Sequence, residues 1–183
     1  GDAGAVVTED GALADQIRVL GNYGSRQKYF HETRGANSRM DPIQAAVLRA
    51  KLPRLDAWNQ RRRQIAARYL EVLEGVSGLV LPRAAPGSDA VWHVFPVLHP
   101  ERDWLARQLE QAGVGTLIHY PVPPHLSGAY RDLGFRRGDF PVAEQIAREE
   151  LSLPLHPHLT AEQVEEVAGS VCLAACLPVG APA

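Results

Sequence analysis

Residues 22–46 read NYGSRQKYFHETRGANSRMDPIQAA. The first part of this stretch, up to Met40, is rich in glycine and polar residues and shows neither the strand nor the helix hydrophobic period. A polar loop of this length inside a compact chain is usually functional or disordered. The second part predicts a helix, because Asp41 is a favourable N-cap, Pro42 suits the first helical position and Gln44 can complete the cap. The stretch therefore predicts a functional loop that leads directly into a helix.

Asn37 and Arg39 lie just before the start of this helix. The N-terminus of a helix offers free backbone N–H groups and a partial positive charge, and both favour a phosphate group. The Asn37 amide and the Arg39 guanidinium would add hydrogen-bond donors to such a site. The alternative is that Asn37 is an ordinary turn residue and that Arg39 pairs with Asp41. Local physics alone favours that alternative.

A second polar segment, residues 119–125, reads HYPVPPH. Prolines hold the backbone extended and leave it little entropy to lose, so two histidines and a tyrosine are presented on a rigid loop. Such a loop can hold a sugar or a diphosphate. The alternative is an exposed polyproline-II-like connector, which local composition alone favours. His156 and His158 lack further ligands at a sensible spacing, so no metal site is predicted.

The rest of the chain predicts an α/β protein. We expect the end of a buried strand at residues 5–8, helices at 12–20, from 41 and at 54–74, a hinge-like loop at 82–89, a strand at 91–98, a helix at 101–111, a strand at 114–120, a helix at 140–151 and an extended segment at 153–158. Thr160 and Gln163 predict a capping box at the start of a last helix.

The 183 residues carry a net charge of -2, with 45% hydrophobic and 22% charged residues. This is an ordinary globular composition, enough for one domain or a domain and a half, and it gives no general attraction to nucleic acid. The uncharged stretch 167–183 is too short for a membrane span, so no membrane partner is predicted. The chain opens on Gly1 without a methionine or a signal peptide, and we expect it to continue a longer protein.

Five segments together resemble the carboxyl-terminal half of the DegT/DnrJ/EryC1/StrS aminotransferases, in the family's order and over about residues 1–170. The segments are GDAGAVVT at 1–8, NYGSRQKY at 22–29, GANSRMD at 35–41 with QAA at 44–46, IHYP at 118–121 with His125, and DFP at 139–141 with Glu144 and LSLP at 151–154. The resemblance implies an α/β fold, the C-terminal part of a PLP-dependent transferase of fold type I, which is aspartate aminotransferase-like, where PLP is pyridoxal 5'-phosphate.

The same resemblance implies a division into domains. Residues 1–52 would end the large PLP-binding domain and include a loop that reaches the neighbouring subunit. Residues 53–81 would form a linking helix, residues 90–177 a small C-terminal α/β domain, and residues 178–183 a tail. The expected partners are a second copy in a homodimer with shared active sites, a nucleotide-sugar substrate and glutamate, and the expected location is cytoplasmic.

Roles for individual residues also follow from the resemblance. Asn37 and Arg39 would bind the cofactor PLP at its phosphate. The residues expected near the nucleotide sugar are Lys28, Tyr29, His31, His119, Tyr120 and His125. The family's Schiff-base lysine would lie several residues before Gly1, so no catalytic residue is expected in this chain. Its only lysines, Lys28 and Lys51, are not expected to bind PLP covalently.

The implied reaction is transfer of an amino group from L-glutamate to a nucleotide-linked keto-deoxysugar. The pattern YGSRxKYxH at residues 23–31 resembles enzymes that aminate C3 of dTDP-3-keto-6-deoxyhexoses in deoxyaminosugar and antibiotic biosynthesis. Two alternatives remain open. One is a relative with histidine in place of the lysine, which acts as a sugar 3-dehydratase. The other is a non-catalytic fragment that dimerises or binds sugar.

Overall fold

The computed structural model describes residues 4–177. Its helices are α1 (Gly11–Gly21), α2 (Pro42–Lys51), α3 (Leu55–Leu73), α4 (Arg102–Gln111), α5 (Pro141–Glu149) and α6 (Ala161–Cys176), and its strands are β1 (Phe95–Leu98) and β2 (Glu150–Leu153). Short 3-10 helices lie at Leu52–Arg54, Pro124–Leu126 and Gly128–Leu133. The chain divides into two compact units, Gly1–Leu55 and Asp56–Ala183. The finer domain boundaries stay predictions, and the tail at 178–183 lies outside the described residues.

In the first unit, α1 begins where the sequence provides a cap. The Asp10 carboxylate accepts hydrogen bonds from the backbone N–H of Ala12 (2.9 Å) and of Leu13 (3.1 Å), which satisfies two free donors at the helix start. Val19 is the buried residue of this helix. The predicted helix at 12–20 is confirmed, and it extends one residue farther at each end.

The helix α2 starts at Pro42, as predicted, but without the expected side-chain cap. Asp41 has an extended backbone, and its carboxylate accepts no hydrogen bond from the helix start. The N-cap position of Asp41 and the place of Pro42 in the first turn are confirmed, and only the predicted side-chain hydrogen bond of the cap does not form. No residue of α2 is buried, and Ile43 and Val47 of its apolar stripe are exposed.

The strand predicted at residues 5–8 is wrong. These residues have no regular secondary structure, and Val7 is 96% exposed. A strand needs a hydrogen-bonding neighbour, and none of residues 4–177 pairs with this segment. The apolar run shows that the segment suits a strand, but the pattern does not supply the partner.

The core of the second unit combines a two-stranded antiparallel sheet with three helices. In the sheet, Phe95 lies opposite Leu153 and Val97 lies opposite Leu151, and all four side chains are buried. The helices α3, α4 and α6 contribute further large core residues, which are Ile65, Tyr69, Leu73, Trp104, Leu105, Leu109, Val164, Val167 and Val171. Each large apolar side chain buried in this way stabilises the fold by about 1.5–3 kcal/mol.

The predicted strands are longer than the observed ones. The first begins at Phe95 rather than at residue 91, because Trp92 has a φ of +52°, outside the extended region. The strand predicted at 114–120 is reduced to one bridge, between Leu117 and Ser152. The next ladder bond does not form, because the backbone N–H of His119 donates to a side-chain oxygen of Glu150 instead.

The boundary between α5 and β2 also lies elsewhere than predicted. The helix predicted at 140–151 ends at Glu149, and Glu150 already has the extended conformation of the strand. The extended segment predicted at 153–158 is therefore wrong in position. No glycine or proline marks the junction, so the sequence gives no signal for it.

Two helix signals in the second unit are confirmed. Gly113, the predicted stop after the helix at 101–111, follows α4 with a φ of +80°. At the start of α6, the Gln163 N–H donates to Thr160 Oγ1 (3.2 Å), and the Thr160 N–H donates to Gln163 Oε1 (3.0 Å), which is the predicted capping box. No helix within residues 4–177 has the length and apolar character to cross a membrane.

Candidate functional site

The loop between α1 and α2 is tied to the end of α1 by backbone hydrogen bonds. The N–H of Tyr23 donates to the carbonyl of Ala36 (2.9 Å), and the N–H of Ala36 donates to the carbonyl of Leu20 (2.8 Å). The N–H of Ser38 donates to the carbonyl of Gly21 (2.9 Å). These bonds order the second half of the loop, so its polar side chains have defined positions.

Two glycines permit this close backbone packing. A Cβ atom at Gly35 would lie 2.1 Å from the backbone nitrogen of Gly24, and a Cβ atom at Gly24 would lie 1.8 Å from the carbonyl oxygen of Thr33. Gly24 also has a φ of +72°, which side-chain-bearing residues rarely adopt. The loop can therefore adopt this conformation only with glycine at both positions.

Asn37 and Arg39 contact each other on this loop. The Arg39 Nε donates to Asn37 Oδ1 (2.9 Å), and Arg39 Nη1 donates to Asn22 Oδ1 (3.0 Å). The guanidinium carbon also lies 5.3 Å from the centre of the Tyr23 ring, at cation–π distance. The ion pair between Arg39 and Asp41, weighed as an alternative, does not form in the described part of the chain.

This contact fixes the orientation of the Asn37 amide. A guanidinium only donates hydrogen bonds, so the Asn37 atom that faces Arg39 must be the oxygen. The Nδ2 amino group of Asn37 then keeps both hydrogens available for another acceptor. The donors and the positive charge of Arg39 suit a phosphate group, which is the chemistry expected of a PLP-binding residue.

Lys28, Tyr29 and His31 lie on the exposed first half of the loop. The Lys28 Nζ is 4.9 Å from the centre of the Tyr29 ring, and Tyr29 is 80% exposed. The His31 Nδ1 lies 2.9 Å from the carbonyl oxygen of Tyr23. A carbonyl only accepts, so Nδ1 carries the hydrogen and Nε2 is left for another partner. A cation, an exposed aromatic ring and an imidazole are thus all exposed in this half of the loop.

In the second unit, His119 and Tyr120 line a cleft of about 480 Å³. Pro123, Tyr130 and Ile146 also border it. Tyr120 is 72% exposed, whereas His119 is half-buried and its Nδ1 lies 2.9 Å from Ser152 Oγ. Pro123 and Pro124 line the cleft, but the backbone is not extended throughout as predicted, because Pro124–Leu126 forms a 3-10 helix.

His125 contacts a buried carboxylate. Its Nε2 lies 3.1 Å from Glu144 Oε1, and both side chains are buried. The Gly138 N–H donates to the same oxygen (2.6 Å), and this bond, with the hydrogen bond from His125, lowers the pKa of Glu144. Phe140 packs against the imidazole, with 4.8 Å between ring centres. These contacts hold the segment around Gly138, and the substrate-binding role of His125 stays a prediction.

Sequence reasoning missed the role of Glu150, which is buried and contacts both His119 and Ser152. The polar–apolar alternation of Glu150, Leu151, Ser152 and Leu153 was the available signal, because it predicts a strand with one polar face. In the sequence, Ser152 stands out only as part of the LSLP segment at 151–154. In the described part of the chain, no group of three or more His, Cys, Asp or Glu side chains is arranged to hold a metal ion.

Comparison with known proteins matches residues 1–172 to the DegT/DnrJ/EryC1/StrS aminotransferase family. The chain is 56% identical over 167 residues to the erythromycin biosynthesis sensory transduction protein EryC1 of Saccharopolyspora erythraea, with 91% of this chain and 46% of that protein covered. It is 53% identical over 171 residues to the dTDP-3-amino-3,4,6-trideoxy-α-D-glucose transaminase of Streptomyces venezuelae, with 93% and 45% covered. The chain thus spans about half the length of the curated relatives it matches, in their carboxyl-terminal part.

Solved structures show the same fold. The crystal structure of S. venezuelae DesV in complex with a ketimine intermediate matches with a TM-score of 0.91 and 50% identity, over 94% of this chain and 46% of that one. A DegT DnrJ EryC1 StrS aminotransferase from Brucella abortus matches with a TM-score of 0.83 and 34% identity, over 90% and 44%. These matches confirm the predicted fold class, the C-terminal part of an α/β PLP-dependent transferase of fold type I. The chain therefore belongs to the DegT/DnrJ/EryC1/StrS aminotransferase family.

Proposed function

We propose that the intact protein is a PLP-dependent aminotransferase that acts on a nucleotide-linked keto-deoxysugar. In this proposal the amino donor is L-glutamate and the acceptor carbon is C3 of a dTDP-3-keto-6-deoxyhexose. The observation that carries the proposal is the Asn37 amide, which Arg39 holds with both of its hydrogens available to a phosphate. The identity to a named dTDP-aminosugar transaminase supports the substrate class.

Asn37 is the residue proposed to bind the PLP phosphate directly. Arg39 orients it through the 2.9 Å hydrogen bond and adds a positive charge nearby. When bound, PLP supplies the chemistry that carries the amino group between donor and acceptor. Neither lysine is proposed to carry the cofactor. Lys28 Nζ lies against the Tyr29 ring, and Lys51 ends α2.

The sugar nucleotide is proposed to meet two sets of side chains. Lys28, Tyr29 and His31 offer a positive charge, an aromatic face and an imidazole, which suit a diphosphate and a nucleobase. His119 and Tyr120 offer an imidazole and a phenol beside a cleft, which suit sugar hydroxyls. In a homodimer with shared active sites, the exposed loop of one subunit would complete the site of the other.

The proposal is tested by adding glutamate to the purified intact protein loaded with PLP and recording the cofactor absorbance. We expect a spectral change with glutamate alone, and its reversal when a dTDP-3-keto-6-deoxyhexose is added. The Asn37→Ala variant should lose PLP faster on dialysis, while Asn59→Ala, an asparagine of α3, should retain it. No spectral change with glutamate in a protein that holds PLP would contradict amino transfer.

A further inference from the structure

The Glu150 side chain is a buried carboxyl group that accepts two hydrogen bonds and forms no ion pair within residues 4–177. It is 1% exposed, its Oε1 accepts from Ser152 Oγ (2.5 Å), and its Oε2 accepts from the backbone N–H of His119 (2.6 Å). Arg102, the nearby cation, donates to the backbone carbonyl of Glu150 rather than to the carboxylate. Burying a carboxylate is unfavourable unless its oxygens are hydrogen-bonded. Both oxygens are satisfied here: one bond comes directly from His119, which lines the cleft, and the other comes from Ser152, whose hydroxyl contacts the His119 ring.

With Glu150 ionised, the hydrogen bonds around Ser152 have one consistent direction. A carboxylate only accepts, so the single hydroxyl hydrogen of Ser152 points to Glu150. The Ser152 oxygen must then accept from the ring nitrogen that faces it, which is His119 Nδ1 at 2.9 Å. Nδ1 therefore carries a hydrogen, and the neutral ring is the Nδ1–H tautomer. Its Nε2 keeps a lone pair and makes no hydrogen bond to any of the described residues.

The backbone around His119 is fixed by the same residues. The N–H of Ser152 donates to the carbonyl of Leu117 (2.8 Å), and the N–H of Leu117 donates to the carbonyl of Ser152 (3.3 Å). The Glu150 carboxylate then takes the place of the next strand carbonyl at the His119 N–H. Both the backbone and the ring of His119 are thus held by β2.

We propose that Glu150 and Ser152 are positioning residues that hold His119 as the neutral Nδ1–H tautomer, so that its Nε2 accepts a hydrogen bond from a hydroxyl group of the sugar. This inference rests on the proposed function for the identity of the ligand. An Nε2 lone pair attracts a hydroxyl hydrogen and repels an anionic phosphate oxygen. His119 is therefore assigned to the sugar ring rather than to the diphosphate.

The tautomer is measured directly by NMR on the intact protein labelled with 15N-histidine, at pH 8. Long-range 1H–15N correlations distinguish the two ring nitrogens, and the His119 signals are identified by their loss in His119→Gln. We expect Nδ1–H in the wild type and a loss of this preference in Ser152→Ala. A wild-type ring with hydrogen on Nε2, whether as the other tautomer or as imidazolium, would overturn the proposal. The NMR measurement of the tautomer does not depend on enzymatic activity.

Kinetics give the second test. In Ser152→Ala, the KM for the dTDP-keto-sugar should rise about tenfold, the equivalent of one hydrogen bond, while the rate of the glutamate half-reaction should match the wild type. Ser152→Thr keeps the hydroxyl and should recover most of the KM, and Ser88→Ala removes a surface hydroxyl as a control. An unchanged KM, or an equal loss in both half-reactions, would overturn the positioning role. A wild type that holds PLP but does not react with glutamate contradicts the proposed function instead, and the NMR result still decides the tautomer.

Discussion

The guanidinium of Arg39 donates one hydrogen bond of 2.9 Å to the side-chain oxygen of Asn37, two residues earlier. A second bond, to Asn22, and the face of Tyr23 hold the guanidinium in place. The amide of Asn37 is thereby turned with its donors away from Arg39. A loop that composition alone would describe as a turn thus presents an ordered set of donors for an anion.

The first expectation concerns Arg39. Because Arg39 orients Asn37, Arg39→Ala should weaken PLP retention about tenfold even if Arg39 does not touch the cofactor. Arg39→Lys should not restore retention, because an ammonium lacks the planar fork that reaches both asparagines. PLP retained after dialysis is measured by absorbance. Arg34→Ala, which removes an exposed arginine of the same loop, is the control, and equal losses in both variants would contradict the specific role of Arg39.

The second expectation concerns Gly35. The Cβ of an alanine would clash with the backbone at Gly24, so Gly35→Ala should lower the free energy of unfolding by more than about 1 kcal/mol and weaken PLP retention. Gly11→Ala is the matched control, because a Cβ there meets nothing within 4 Å and lies in a helix. Urea unfolding followed by circular dichroism measures the stability of both variants, and absorbance after dialysis measures their PLP retention. A Gly35→Ala variant as stable as the wild type would show that the loop does not pack this closely.

The third expectation is a pH dependence at Glu144. The bond from the Gly138 N–H, followed by that from His125, lowers the pKa of Glu144 below its ordinary 4.5. A lowered pKa gives stability that is complete above pH 4.5 and is lost as the pH falls through the folded value. Glu144→Gln should therefore be less stable than the wild type at pH 7, and the difference should shrink below pH 4.5.

Urea titrations at several pH values measure this difference. Glu166→Gln is the control, because Glu166 is exposed on α6 and forms no hydrogen bond or ion pair through its side chain within residues 4–177. A Glu144→Gln variant whose destabilisation is the same at pH 3.5 and at pH 7 would exclude the ionised carboxylate as the cause.

The fourth expectation concerns Tyr69 in the core. Its hydroxyl donates to the carbonyl of Pro154 (2.9 Å), and burial raises the pKa of Tyr69 to about 12. Tyr69→Phe should cost about 1 kcal/mol of stability at pH 7. The stability that comes from keeping the phenol neutral is complete below pH 10.0 and is lost as the pH rises toward 12. In a titration followed by absorbance, the phenolate of Tyr69 should form only as the pH approaches 12. Tyr130→Phe, at an exposed site, should change neither the stability nor this last step of the titration.

The sequence predicts the helices better than the strands, for a physical reason. A helix carries its own hydrogen bonds and end signals, so Gly113 and the pair Thr160 and Gln163 mark real boundaries. A strand depends on a neighbour that local sequence does not name. Residues 5–8 find no partner in the described part of the chain, and residues 114–120 form one bridge only.

In the candidate site, too, local features can be predicted from the sequence and contacts between distant residues cannot. The loop could be recognised in the sequence by its glycines and its lack of a hydrophobic period, but the close packing that requires Gly24 and Gly35 is visible only in the structure, and the role of Asn37 stays a prediction from the resemblance. The hydrogen-bonded set of Glu150, Ser152 and His119 could not, because His119 is about thirty positions from the other two and meets them only when its segment lies beside β2. A buried glutamate and an exposed one look alike in sequence until the neighbouring backbone is known.

The central claim is that the intact protein transfers an amino group to C3 of a keto-sugar nucleotide. The most direct measurement is to incubate it with PLP, 15N-labelled L-glutamate and a dTDP-3-keto-6-deoxyhexose, and to analyse the sugar product by mass spectrometry and NMR. The account predicts a dTDP-3-amino sugar that carries 15N at C3. Unchanged keto-sugar, or a sugar product that carries no 15N at C3, would contradict it.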